Sequence, residues 1–141
     1  MNTSLEKVQW LEDYELGDPR LDKDHKNLVG IVNLTVNALN SGHMTESLAL
    51  MRQFISAARD HFAVEEELMA TCDFANARRH QNYHQHLLER AEQIEAVFEF
   101  DQDEQKIRDQ FVEFVSCLLD DVIQGDRELL PILKRTPQAT A

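Results

Sequence analysis

Apolar residues recur every three or four positions along four long stretches of the chain, which is the period of a helix with one face against a core. No stretch of useful length shows the strict alternation of apolar and polar residues that is typical of a strand. Glycine and proline, which interrupt helices, are scarce, with 4 and 3 in 141 residues. The pattern therefore predicts an all-α protein with helices over residues 19–40, 44–72, 75–99 and 102–125.

Only short segments separate the four predicted helices, so neighbours along the chain should run antiparallel in an up-down-up-down four-helix bundle. A chain of 141 residues is long enough for one domain with a substantial core and too short for two, so residues 1–141 are expected to form a single domain. An irregular lead-in should precede Pro19, and Asp101 is the expected N-cap of the fourth helix. The apolar piece 129–133 predicts a short C-terminal helix.

Each predicted helix carries polar groups within its apolar stripe. His61 and Glu65 lie four positions apart, as do His80 and His84, so each pair should project from one face of its helix. Taken singly, such a histidine is more often a solvated or core residue than a ligand. Taken together, these groups predict a metal site, because buried polar side chains are costly unless they are paired or bind metal. The candidate ligands on the stripes are His25, His61, Glu65, His80, His84 and Asp121.

Imidazole and carboxylate groups together are ligands for iron, manganese or zinc, and helical bundles commonly hold such ligands. The candidates exceed the share of one ion, so two metal ions fit them better, and Glu65 could bridge the ions through its two oxygens. Asp126 is a further bridging candidate, although on an ideal helix it points about 140° away from Asp121. Gly125 could allow the backbone to distort between the two aspartates.

A net charge of -12 opposes binding to nucleic acid or to an anionic membrane surface. No apolar run is long enough to span a membrane, and the amino terminus lacks the basic and apolar regions of a signal peptide. We therefore expect a soluble, cytoplasmic protein, and a monomer because the stripes leave no broad apolar surface. Cys72 and Cys117 are expected to be buried thiols, whereas His86, Glu66 and Glu67 should be solvated.

Several motifs occur together along nearly the whole chain, and together they resemble the bacterial hemerythrins. They are W(x3)Y(x2)G at Trp10, Tyr14 and Gly17, DxxH at Asp22 and His25, HFxxEExxM from His61 to Met69, HxxxH at His80 and His84, and the final Asp126. The resemblance implies a four-helix bundle with a non-haem di-iron centre, oxo- or hydroxo-bridged, that binds O2 reversibly.

The resemblance also assigns roles to individual residues. His25 and His61 would ligate the iron with the open position, and His80 and His84 the other iron. Glu65 and Asp126 would be the bridging carboxylates. Leu118 and Val122 would line an apolar O2 pocket.

One position departs from the family pattern. The fourth-helix motif of the family is HIxxxD, whereas this chain has DVIQGD, so Asp121 stands where a fifth histidine is expected. The usual tryptophan three or four residues earlier is replaced by Cys117 and Leu118. A carboxylate in place of a neutral imidazole would add negative charge at the iron and favour its ferric state, which makes the release of O2 harder.

Three hypotheses follow, and the motifs favour the first. In the first, the chain binds O2 or a related diatomic ligand for storage, delivery or sensing. In the second, it is a carboxylate-enriched di-iron enzyme that reduces O2, peroxide or a nitrogen oxide, and this hypothesis rests on coordination by Asp121. In the third, a degenerate site holds one metal, or another metal, in a structural role while Asp121 is solvated.

Overall fold

The computed structural model describes residues 4–71 and 75–131 of the chain. A 3-10 turn, Glu12–Tyr14, precedes four long helices, and two π-helical turns and a second 3-10 turn follow the third and fourth helices. The helices are α1 (Pro19–Asn40), α2 (Met44–Thr71), α3 (Ala77–Ala96) and α4 (Glu104–Cys117). Helix α1 packs on α2, α2 on α3, and α3 on α4, which confirms the predicted all-α four-helix bundle.

Local chemistry explains where α1 begins. The Asp18 carboxylate accepts hydrogen bonds from the backbone N–H groups of Arg20 and Leu21, both at 3.0 Å, and Pro19 occupies the first helical position. The buried Asp22 carboxylate accepts from the N–H groups of Leu16, at 2.8 Å, and Gly17, at 3.1 Å. These bonds fix the lead-in to the bundle at the point where the chain enters α1.

Helices α3 and α4 both end in wider turns, and the sequence pattern gave no indication of the one after α3. The π-helical turn Val97–Asp101 follows α3 and stops at Gln102, which has a left-handed backbone with φ 58°. Asp103 then caps α4 by accepting a hydrogen bond from Lys106 N–H at 3.1 Å, so the expected N-cap at Asp101 was wrong. Each π-helical turn accommodates one more residue than an α-helical turn, which changes the direction of the side chains that follow.

The core runs through the middle of the bundle and is rich in large aromatic and aliphatic side chains. Phe54 of α2 and Phe114 of α4 are both buried, and their rings meet edge to face with centroids 4.9 Å apart. No helix in the described parts of the chain is long and apolar enough to cross a membrane. The predicted C-terminal helix at 129–133 lies partly outside the described residues, as does Cys72.

Truncation of Phe54 should destabilise the bundle, because it leaves a cavity against Phe114 that the surrounding helices cannot close completely. We expect Phe54→Ala to lower the free energy of unfolding by about 3–5 kcal/mol. Phe100→Ala is the matched control, because the Phe100 side chain is 82% exposed. Its effect should stay within about 0.5 kcal/mol. Denaturant titrations of both variants measure the difference, and equal effects would contradict the assigned core.

Candidate metal centre

Six buried polar side chains converge near one end of the bundle. Each of them is at most 3% exposed, and they come from three helices and the second 3-10 turn, Gly125–Leu129. They are His25 of α1, His61 and Glu65 of α2, His80 and His84 of α3, and Asp126 of the 3-10 turn. We refer to this set as the six-residue cluster.

Helical spacing accounts for part of the convergence. The imidazoles of His80 and His84, four residues apart, have ring centroids 4.7 Å apart, so both face the same side of α3. The imidazoles of His25 and His61 come from different helices and have centroids 4.8 Å apart. The packing of α1 against α2 therefore supplies the contact that spacing along the chain cannot.

Asp126 lies between the two histidine pairs. Its Oδ2 is 2.6 Å from His25 Nε2 and 3.6 Å from His61 Nε2, whereas its Oδ1 is 2.6 Å from His80 Nε2. The two oxygens of one carboxylate thus face different helices. This is the arrangement that a bridging carboxylate requires.

Glu65 occupies the corresponding place on the other side of the cluster. Its Oε1 is 3.2 Å from His61 Nε2 and 3.2 Å from His84 Nε2, and its Oε2 is 3.9 Å from His80 Nε2. Neither Glu65 oxygen makes a well-aligned hydrogen bond with any described residue. Fully buried carboxylate oxygens without such bonds are costly unless a cation or a proton compensates them.

The cluster divides into two overlapping groups of four potential ligands. Within each group, one ligand atom from every residue lies within 4.8 Å of the others. The groups are His25, His61, Glu65 and Asp126, and then Glu65, His80, His84 and Asp126. Each group therefore combines two imidazoles with the same two carboxylates. Such a donor set fits iron, manganese or zinc and could hold one ion in each group.

Protons compensate the carboxylates where no metal does. Burial by itself lowers the pKa of His61, but the Asp126 and Glu65 carboxylates outweigh burial and raise that pKa to about 10. Burial likewise lowers the pKa of His80, but the Asp126 and Glu65 carboxylates outweigh burial and raise that pKa to about 9. For Glu65, burial raises the pKa, yet the neighbouring imidazoles hold it well below its ordinary value. Two imidazolium groups can therefore balance the two carboxylates in metal-free protein.

The structure does not bring Asp121 to the six-residue cluster. Asp121 belongs to neither ligand group found in the described parts of the chain. Its half-buried side chain lines a surface pocket of about 320 Å³, together with His86, Arg90 and Cys117. Burial and the nearby Asp121 carboxylate raise the pKa of the Cys117 thiol to about 11. Asp121 therefore faces a thiol and the surface, in contrast to the sequence-based expectation that it is a ligand.

The backbone explains why Asp121 and Asp126 face different surroundings. The π-helical turn Leu118–Ile123 contains Asp121, and the 3-10 turn Gly125–Leu129 contains Asp126. The distortion expected around Gly125 is thus present, and Asp126 reaches the interior. The proposed pocket residues Leu118 and Val122 are fully buried in the same π-helical turn.

Three acidic residues lie on the outer side of the cluster, and the sequence pattern did not indicate a role for them. His61 Nδ1 donates a hydrogen bond to Asp24 Oδ2 at 3.0 Å. Glu66 Oε1 lies 3.6 Å from His84 Nδ1, and Glu128 Oε2 lies 3.9 Å from His80 Nδ1. Carboxylates in these positions orient metal-ligating imidazoles and increase their basicity.

A sequence signal for these outer carboxylates existed but was weak. Asp24 is adjacent to His25, Glu66 is adjacent to Glu65, and Glu128 follows Asp126 by two residues. Each one nevertheless contacts a histidine of a different element from its own, so the partner could not be read from spacing. The expectation that Glu66 is simply solvated was incomplete, because its half-exposed carboxylate also approaches His84.

Comparisons with known proteins identify the family to which the chain is related. The model of the family described as "Hemerythrin HHE cation binding domain" matches residues 16–133. A bacteriohemerythrin of Clostridium acetobutylicum is 22% identical over 126 residues, which are 86% of this chain and 97% of the relative. A bacteriohemerythrin of Pseudomonas paraeruginosa is 24% identical over 94 residues, and one of Pseudomonas aeruginosa is 23% identical over 94 residues. The matched residues are 67% of this chain and 61% of each Pseudomonas relative.

The family match extends over most of the chain and includes every residue of the six-residue cluster. The observed four-helix bundle has the architecture that the resemblance implied. On these grounds, the chain belongs to the hemerythrin HHE cation binding domain family.

Proposed function

We propose that the six-residue cluster holds two iron ions and that this non-haem di-iron centre binds O2 reversibly, for storage, delivery or sensing. His25 and His61 would hold one ion, and His80 and His84 the other. The observation that carries the proposal is the pair of overlapping ligand groups that share Glu65 and Asp126. When bound, two iron ions supply the electrons that O2 takes up on binding and returns on release.

The residues of the chain would contribute charge balance and exclusion of water. The carboxylates of Glu65 and Asp126 would offset the cationic charge inside the bundle, where unpaired charge is costly. Leu118 and Val122 are fully buried and apolar, so they would keep water from the bound ligand. The antiparallel helices would hold the imidazoles in place, because every one of the four histidines lies on a helix that packs against its neighbour.

The same geometry weakens the two alternatives. The enzyme hypothesis rested on coordination by Asp121, whose side chain lies beside Cys117 at the surface pocket. The hypothesis of one structural metal does not explain why two groups of equal composition share their carboxylates. Reversible binding at a di-iron centre therefore remains the function that these contacts support best.

Metal content and the visible spectrum of aerobically purified protein test the proposal. We expect about two irons per chain and charge-transfer absorption that changes reversibly on removal and return of O2. Glu65→Gln should lose iron from both positions, because one carboxylate serves both groups. Glu67→Gln is the matched control, since Glu67 is exposed on the same helix. Protein that folds without iron and ignores added ferrous iron would overturn the proposal, and irreversible oxidation would favour the enzyme hypothesis.

Asp24 should strengthen the binding of the ion held by His25 and His61. Removal of an outer carboxylate that supports a ligating histidine typically costs about 10–100-fold in metal affinity. We expect Asp24→Ala to show a loss of this size at one of the two ions, and Asp24→Asn to show a smaller loss because an amide oxygen can still accept the His61 hydrogen bond. Competition with a chelator measures both affinities.

Asp60→Asn is the control for this comparison. Asp60 precedes His61 in the sequence but is exposed, so its substitution removes a similar charge without removing the hydrogen bond to His61. An equal loss of affinity in the Asp60 and Asp24 variants would show that general charge, and not the contact with His61, is responsible.

Metal binding should release protons at neutral pH. The pKa values of His61, about 10, and His80, about 9, keep both imidazoles protonated at pH 7 in metal-free protein. Each must lose its proton to ligate metal, so about two protons should be released per chain. Calorimetry in buffers of different ionisation enthalpy measures this number. Release of no protons would contradict the proposed histidine ligands.

The same shifts predict how pH affects metal-free protein. Both pKa values are raised above the ordinary 6.5, so the stabilisation is complete below about pH 6.5 and is lost as pH rises through 9 and 10. The melting temperature of metal-free protein should therefore fall across this range. The melting temperature of iron-loaded protein should fall less over the same pH range, because the metal and not a proton balances the carboxylates.

A further inference from the structure

We propose that both metal positions, and not one alone, carry an open coordination position for a small exogenous anion or diatomic ligand. This inference rests on the proposed di-iron centre and concerns how many ligands that centre accepts. It follows from the composition of the two ligand groups and from the position of Asp121.

The two ligand groups are chemically equal. His25 and His61 in one group correspond to His80 and His84 in the other, and both groups use Glu65 and Asp126. Neither group contains a third imidazole from the parts of the chain that the structure describes. Each ion would thus have four protein donors, so neither position is more complete than the other.

The fourth helix does not complete the position held by His80 and His84. Asp121, in the π-helical turn that follows α4, is half-buried and lines the surface pocket that also contains His86 and Cys117. The buried side chains of the π-helical turn that contains Asp121 are all apolar. They are Leu118, Val122 and Ile123. Hydrocarbon side chains donate no electron pair to a metal. These three residues can therefore exclude water from the site but cannot ligate an ion.

Non-haem iron commonly takes about six donors, and sites with few protein ligands keep positions open for exogenous molecules. Four protein donors on each ion would leave room for an exogenous molecule on both ions. Small anions such as azide are suitable probes, because they occupy open iron positions without displacing protein ligands.

The test is azide binding to oxidised, iron-loaded protein, with iron content measured first. We expect about two irons and about two azide ions per chain, counted by calorimetry and by the charge-transfer absorption that each bound azide adds. Protein with two irons that binds only one azide would overturn this inference and leave the proposed function intact. Protein with fewer than two irons would overturn both.

Asp121→Asn and Asp121→Ala show whether Asp121 contributes a ligand. We expect both variants to keep the iron content and the azide count of the unmodified chain, because the carboxylate faces Cys117 and the surface pocket. A rise in azide count or a loss of iron in these variants would show that Asp121 ligates, which would overturn the inference. Two variants are used so that poor folding of one does not decide the result.

Discussion

The pairing of two buried carboxylates with four imidazoles is the interaction on which the rest of the structure depends. Glu65 and Asp126 are fully excluded from solvent, and isolated charges in such surroundings would destabilise the fold. Their close contacts extend to three helices and link residues as far apart in sequence as His25 and Asp126. The fold must therefore bring the three histidine-bearing helices and the turn with Asp126 together at the same height along the bundle, whether protons or metal ions balance the charge.

Two irregular turns after α4 decide which aspartate reaches the paired carboxylates and imidazoles. On a continuous α-helix, the side chains of Asp121 and Asp126 would point about 140° apart. Only one of them could then face the interior of the bundle. The π-helical turn at Leu118–Ile123 and the following 3-10 turn bring Asp126 into the cluster while Asp121 lines a surface pocket. Irregular turns at functional sites commonly serve this purpose.

The two groups of potential ligands are more alike than the family motif implies. A fifth histidine would make one metal position richer in nitrogen donors than the other, whereas these two ligand groups have the same composition. The outer carboxylates differ between the groups: Asp24 accepts a hydrogen bond from His61 at 3.0 Å, whereas Glu66 approaches His84 at 3.6 Å and Glu128 approaches His80 at 3.9 Å. Outer carboxylates of this kind could therefore set how the two positions differ in affinity.

The sequence by itself determined the helices and the candidate ligands on α1, α2 and α3, because both depend on local periodicity. The apolar stripes predicted α1 at its observed bounds, and spacings of four residues placed His61 with Glu65 and His80 with His84. Only the tertiary structure decided which outer acidic residues approach the histidines and where Asp121 lies. Asp24 meets His61 across 37 positions of sequence, and the direction of Asp121 depends on a π-helical turn that leaves no periodic signature. Contacts between helices and distortions within them arise from packing of the whole bundle, so spacing along one helix could not reveal them.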